Sequence, residues 1–170
     1  VPAEQILRDL RINRIFEGST EIMHLLIARE AVDAHLAAAG DVIDPDVDLS
    51  GKAKAAVKAG GFYAKWLPQL VVGPGREARQ SYATFGPLSE HLSYVERSSR
   101  RLARQTFFGM ARWQGGLERH QGFLARIVDI GAELFAMSAA CVRARELQDS
   151  GAAHAREAMQ LADVFCDQST

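Results

Sequence analysis

The stretch that organises this chain reads Arg14-Ile15-Phe16-Glu17-Gly18-Ser19-Thr20-Glu21-Ile22. A helical pattern of apolar residues breaks at Glu17-Gly18, and a second helical pattern begins at once. Gly18 can adopt backbone angles that other residues resist, and the Ser19 hydroxyl can accept a hydrogen bond from a free N–H group of the new helix. The sequence therefore predicts a helix, a sharp bend and a capped helix, with the Glu17 carboxylate on the bend.

Glu17 has two interpretations on residue chemistry alone. A carboxylate at the joint between two packed helices loses water, which raises its pKa toward the range of a general base. A glutamate that caps a helix or pairs at the surface is the more common case. At this level the structural interpretation is favoured and the catalytic one stays open.

Composition limits the class of protein. The chain has 170 residues, of which 48% are hydrophobic and 24% charged, with a net charge of -1. These values are typical of a globular domain and do not favour nucleic-acid binding. Cys141 and Cys166 lack metal-ligand spacing, so we expect reduced core thiols in an intracellular, cytoplasmic protein. The first residue is Val1 rather than Met and lies next to a helix signal, which predicts that the chain is part of a longer polypeptide.

Helical periodicity runs through the chain and predicts an all-α fold with no convincing strand. We expect an antiparallel helical bundle of about four to five helices, preceded by a helix-bend-helix arm. The predicted divisions are an arm over 1–40, whose helices span about 3–16 and 20–39 with Gly40 as the stop, a linker over 41–49, and the bundle over 50–170. The acidic linker is predicted to be a plain loop rather than a calcium loop, because its spacing differs from an EF-hand.

Within the predicted bundle, Pro68 should interrupt the first helix. A long helix is expected over 77–114 with an irregularity at Gly86-Pro87, followed by a Gly115-Gly116 turn and a returning helix over 117–149. A last helix is expected over 152–166. The apolar spacing of the two long helices predicts that they pack as an antiparallel hairpin.

Other possible sites are less well supported. None of the five histidines has metal-binding spacing, so no metal site is predicted. Ser98-Ser99-Arg100-Arg101 suggests phosphate handling, but Glu96 lies one helical turn before Arg100 and an intrahelical ion pair is favoured. The aromatic residues Phe62, Tyr63 and Trp66 are expected to pack in the core.

Residues 8–22, followed by Ala28-Arg29-Glu30, closely resemble the carboxyl-terminal signature of acyl-CoA dehydrogenases. The similarity covers about the first 40 residues. The later helices have no short signature and resemble, in architecture only, the carboxyl-terminal extension of the longer members, such as the very-long-chain type and many bacterial enzymes.

The resemblance implies an FAD-dependent α,β-dehydrogenation of acyl-CoA thioesters in fatty-acid β-oxidation, within a homo-oligomer that passes electrons to an electron-transfer flavoprotein. Glu17 would be the catalytic base, Gly18 would lie against the substrate, and Ser19, Thr20 and Glu21 would lie along the flavin. The family's β-sheet domain and first helical domain precede this signature, so these 170 residues alone are expected to retain no FAD and to be inactive.

A rival hypothesis treats the chain as a non-catalytic helical module. Such a module would make oligomer contacts or dock on a membrane surface or a redox partner. The two hypotheses can hold together in one parent protein.

Overall fold

The computed structural model describes residues 2–12, 14–16, 18–73 and 75–170, without the side chains of 43 and 76–79. This part of the chain contains α-helices and short 3-10 helices and no strand, which confirms the predicted all-α class. The α-helices are α1 (Ala3–Ile12), α2 (Thr20–Ile43), α3 (Leu49–Val72), α4 (Arg76–Ala83), α5 (Ser89–Trp113), α6 (Gln121–Asp149) and α7 (Ala155–Gln168). The 3-10 helices span Gly86–Leu88 and Gln114–Arg119.

Helix α1 is shorter than predicted. It ends at Ile12 instead of about Phe16, and the N–H groups of Ile15 and Phe16 both donate to the Ile12 carbonyl, at 3.0 and 2.9 Å. These bonds close a tight turn in place of a last helical turn. The bend predicted at Glu17-Gly18 therefore begins several residues earlier.

Helix α2 continues through Gly40, where the sequence predicts its end. It stops at Ile43, and the N–H of the capping residue Asp44 donates to Gly40 O. Asp44 is extended, with φ -69° and ψ 122°, because the following Pro45 disfavours a helical residue before it. Proline ends this helix, and the glycine is tolerated inside it.

The acidic loop after α2 is a plain loop that caps the next helix. The Asp48 carboxylate accepts bonds from Ser50 Oγ at 2.7 Å and the Gly51 N–H at 2.9 Å, and these bonds lower the pKa of Asp48. Asp44 accepts a bond from the Asp46 N–H at 2.9 Å. The predicted assignment of residues 41–49 as a boundary between domains stays a prediction.

Pro68 does not interrupt α3, contrary to the prediction. A proline removes one backbone donor and disturbs one turn, and Pro68 falls close to the end of the helix at Val72. Arginine side chains bind the last carbonyls, since Arg104 donates to Leu70 O and Arg100 donates to Val71 O. The end of α3 is thus stabilised from outside the helix.

The irregularity predicted at Gly86-Pro87 is a full break. The predicted long helix divides into α4, a turn, the 3-10 helix and α5, and Gly86 has a positive φ of 58°. The expected Gly115-Gly116 turn lies inside the second 3-10 helix, so that α6 begins at Gln121 rather than Leu117.

The chain forms two compact units, Val1–Gly60 with Arg112–Asp129, and Gly61–Ala111 with Ile130–Thr170. The second unit contains a core to which α5, α6 and α7 all contribute. α5 and α6 are antiparallel, because Arg145 donates to Thr84 O near one end while Gly131 faces Leu102 near the other. The buried core residues are Leu88, Leu92, Leu134, Met137, Cys141, Ala144, Ala162 and Cys166.

Aromatic residues form a second packed group in the same unit. The ring of Phe107 on α5 lies 5.3 Å from Tyr63 and 5.7 Å from Trp66. Phe62 lies 6.4 Å from Trp66. The three α3 aromatics therefore pack together, but they are half-buried rather than part of the core, where they were predicted.

The first unit has a core of its own, to which α6 contributes Leu124, Ile127 and Val128. Ala28, Val32 and Ala38 of α2 are buried, together with His35, whose pKa is lowered by burial. None of the helices described is both long and apolar enough to cross a membrane.

Candidate functional site

Glu17, the predicted catalytic base, lies outside the described residues. The residues on both sides of Glu17 are described, and they form the rest of the bend. Arg14, Ile15 and Phe16 form the turn after α1, and Gly18 and Ser19 lead into α2.

Gly18 gives the bend its geometry. Its φ is +120°, in a region that residues other than glycine rarely adopt. A Cβ atom at this position would lie 3.2 Å from Met23 Sδ, one turn into α2. A glycine is therefore favoured here both by the backbone angle and by the close approach of Met23.

Ser19 occupies the N-cap position of α2 but does not cap it with its side chain, contrary to the prediction. Its backbone is extended, with φ -61° and ψ 154°, and its carbonyl accepts the Met23 N–H at 3.0 Å. The hydroxyl instead hydrogen-bonds the Glu21 carboxylate. Ser19 thus connects the bend to a charged residue in the first turn of the helix.

Glu21 is held ionised at the start of α2. A hydrogen bond from its own backbone N–H lowers the pKa of this carboxyl most, and the Ser19 hydroxyl lowers it further. The charges of His24 and Arg14 act in the same direction. A negative charge is also favoured at a helix N-terminus, so Glu21 is suited to orient neighbouring groups rather than to accept a proton.

The start of α2 is connected to α6 by a side-chain contact within the first unit. His24 Nε2 lies 3.4 Å from Asp129 Oδ1. Short-range spacing could not indicate this pair, because its members are far apart in the sequence. The half-buried Thr20 opens the helix one turn before His24.

An exposed apolar surface flanks the bend. No residue of α1 is buried, and Leu7, Leu10 and Ile12 are all more than half exposed. Ile15 is 82% exposed and Phe16 is 64% exposed. Since apolar side chains of this size favour burial, the described residues leave this side of the bend uncovered.

The residues that follow Gly18 are polar. Ser19 and Thr20 supply two hydroxyl groups, and Gly18 leaves its backbone open to close approach. Glu21, the next residue, is exposed, and its pKa is lowered.

No three His, Cys, Asp or Glu side chains converge as a metal site within the described residues. Three of the five histidines lie beside carboxylates: His24 and His154 each contact one, and His91 lies near both Asp163 and Asp167. His120 stacks on Trp113, with ring centroids 4.2 Å apart.

Comparison with known proteins gives matches along the whole chain. The chain is 64% identical over all 170 residues to proteins named probable acyl-CoA dehydrogenase FadE10 in Mycobacterium bovis and Mycobacterium tuberculosis, covering 26% of their length. It is 27% identical over 169 residues to the human very long-chain specific acyl-CoA dehydrogenase, mitochondrial, covering 24% of that protein.

The chain spans about a quarter of the length of the curated relatives it matches, and the matched part of the FadE10 proteins is carboxyl-terminal. The predicted resemblance is thereby confirmed. No family model matches the chain, and no solved structure matches it.

Proposed function

We propose that this chain, which matches the carboxyl-terminal portion of acyl-CoA dehydrogenases along its whole length, supplies the catalytic base of such an enzyme. The observation that carries the proposal is the 64% identity over all 170 residues, which includes the signature at residues 8–22. The parent enzyme would introduce a double bond between the α and β carbons of an acyl-CoA thioester.

Glu17 is the proposed base. In the sequence it stands between Phe16, the last described residue of the turn, and Gly18, which has a positive φ of 120°. Removal of a weakly acidic α-proton needs a carboxylate with a raised pKa, and cover by the rest of the parent would provide the desolvation that raises it. The Glu17 N–H would donate a hydrogen bond to the thioester oxygen as negative charge develops there.

The remaining residues of the bend would position the reactants. Gly18 would allow the acyl chain to approach the backbone, and Ser19, Thr20 and Glu21 would lie along the flavin. FAD, when bound, supplies the acceptor for the hydride that leaves the β carbon. In this chain the Ser19 hydroxyl binds Glu21, so these two residues would contact the cofactor as one connected group.

The decisive experiment is Glu17→Gln in the full-length parent. Flavin should remain bound, while exchange of the substrate α-proton with solvent deuterium, followed by NMR, should cease. Asp33→Asn is the matched control, because it also neutralises one carboxylate and lies exposed on α2. Continued exchange in Glu17→Gln would remove Glu17 from the role of base.

The wider setting is also proposed. The parent would be a cytoplasmic homo-oligomer of fatty-acid β-oxidation that reduces an electron-transfer flavoprotein. A polypeptide of these 170 residues alone would retain no FAD and show no dehydrogenase activity, since the bend offers only one edge of a flavin site. Flavin absorbance in the purified polypeptide would contradict this.

A helical interaction module is the second candidate, favoured by the exposed apolar side chains of α1. In this role α1 would pack on another part of the parent oligomer, and the isolated chain would associate as its concentration rises. Sedimentation of the chain and of a Leu7→Lys variant tests whether α1 makes this contact, because only the wild type should associate. A monomer at all concentrations would exclude this role.

A further inference from the structure

A cavity of about 480 Å³ lies beside the end of α3. Its lining consists of Val71 on α3 and Arg97, Arg100 and Arg104 on α5. All four residues belong to the second compact unit. The volume falls within the range of small-molecule sites.

The three arginines share one side of α5. They are separated by three and four residues, the spacing that places helical side chains next to one another. Two of them are held by backbone carbonyls, since Arg100 donates to Val71 O at 3.2 Å and Arg104 donates to Leu70 O. The guanidinium groups of Arg100 and Arg104 are therefore held in place before any ligand arrives.

Gly73 contributes to this arrangement. It has a positive φ of 73°, and a Cβ atom there would lie 2.8 Å from the guanidinium carbon of Arg100. The absence of a side chain at residue 73 lets Arg100 lie against the end of α3.

Positive charge exceeds negative charge in the cavity. Arg100 Nη2 donates to Glu96 Oε2 at 3.0 Å, and Arg100 Nε lies 2.5 Å from Glu96 Oε1 without forming a hydrogen bond. Arg104 binds a neutral carbonyl, and Arg97 forms no ion pair within the described part of the chain. Like charges gathered in a concave space repel one another, and a bound anion would relieve that repulsion.

We propose that this cavity binds the phosphate group of a small ligand. A planar guanidinium donates two parallel hydrogen bonds, a geometry that matches phosphate oxygens. The ligand would be a phosphate ester or pyrophosphate of a metabolite, or the phosphate of a lipid headgroup, since both present the same chemistry. This site is independent of the proposed dehydrogenase function.

The test is a titration of the full chain with inorganic pyrophosphate, followed by calorimetry and by thermal unfolding. Binding should saturate and raise the unfolding temperature, whereas acetate and chloride at equal ionic strength should not. Arg97→Gln should weaken binding about tenfold, because it removes a charge-assisted contact without removing a cap of α3. Arg112→Gln is the matched control, an exposed arginine on the same helix outside the cavity.

The outcomes are distinguishable. Equal effects of acetate and pyrophosphate, or equal weakening by Arg97→Gln and Arg112→Gln, would overturn the site. If circular dichroism shows that Arg97→Gln is misfolded, Arg97→Lys is tested in its place. This variant should weaken binding less than tenfold, because the charge remains while the two parallel hydrogen bonds of the guanidinium are lost. Unchanged affinity in Arg97→Lys would overturn the site.

Vesicles of phosphatidylcholine with and without phosphatidylglycerol identify the source of the phosphate. Binding to the anionic vesicles that pyrophosphate displaces supports a lipid headgroup, and pyrophosphate binding without vesicle binding supports a free metabolite. Failure of both pyrophosphate and anionic vesicles to bind would overturn the site, and would leave the proposed role of Glu17 untouched.

Discussion

Cys141 Sγ lies 3.7 Å from Cys166 Sγ, where α6 and α7 pack in the core of the second unit. Both side chains are fully buried, and both thiols are free. Burial, with a smaller contribution from the neighbouring Cys166, raises the pKa of Cys141 from 9.0 to about 12. The core therefore contains a neutral thiol pair at physiological pH.

This pair predicts a loss of stability in alkali. The pKa of Cys141 is higher in the folded than in the unfolded state, so the unfolded thiol ionises first as the pH rises. The stability that this thiol contributes is therefore fully present below pH 9.0 and is lost as the pH rises toward about 12. Urea unfolding at several pH values above 8 measures the slope. Cys141→Ala should flatten that slope, and an equal slope in wild type and variant would contradict the prediction.

A second prediction concerns the pair between α5 and α7. His91 is buried, and its Nε2 lies 2.8 Å from Asp163 Oδ1 but 4.0 Å from Asp167 Oδ1. Asp163→Asn should lower the free energy of unfolding by about 1 kcal/mol, because a charged hydrogen-bond partner of a buried ring is removed. Asp167→Asn, which makes the same chemical change at the longer distance, should cost clearly less in urea unfolding. An equal loss of unfolding free energy in both variants would mean that the shorter contact to Asp163 does not stabilise the fold more than the longer one to Asp167.

The third prediction tests the turn after α3. Gly73→Ala should cost roughly 1–2 kcal/mol of unfolding free energy, because alanine is strained at positive φ and its Cβ would displace Arg100. Gly75→Ala is the matched control, since Gly75 has a φ of -62° and open space around its Cβ position. Chemical denaturation of both variants should separate them, and a Gly73→Ala variant as stable as Gly75→Ala would show that Arg100 moves at little cost.

The sequence predicted those features of the fold that depend on long periodic patterns. The all-α class, an irregularity at Gly86-Pro87 and the burial of Cys141 all follow from helical spacing and from residues with strong backbone preferences, although the irregularity is a full break rather than a disturbance of one long helix. It failed at Gly40 and Pro68, where a single residue usually ends a helix. At Gly40 the helix continues because one glycine lowers helix stability only slightly. At Pro68 it continues because arginines that lie far along the chain bind the carbonyls at the end of α3.

In the candidate site, too, local sequence predicts some features and misses the contacts between distant residues. The bend at Gly18 follows from a residue that tolerates positive φ, so a local pattern was enough to predict it. The contact of His24 with Asp129 joins distant parts of the chain, and no spacing rule indicates it. Ser19 was predicted to cap α2 because serine often does so, but the nearby Glu21 carboxylate competes for its hydroxyl.

The last prediction follows from that competition. The pKa of Glu21 is lowered by its own N–H and then by the Ser19 hydroxyl, so Ser19→Ala should raise it toward the ordinary value of 4.5. Ser19→Thr keeps a hydroxyl and should leave the pKa low. Titration of isotope-labelled glutamate carboxyl groups by NMR measures both variants. Because the folded-state pKa is lowered, the stabilisation is present above pH 4.5 and is lost as the pH falls through the folded pKa, and Ser19→Ala should reduce this acid dependence. An unchanged Glu21 pKa in Ser19→Ala would show that the hydroxyl does not hold this charge beside residue 17.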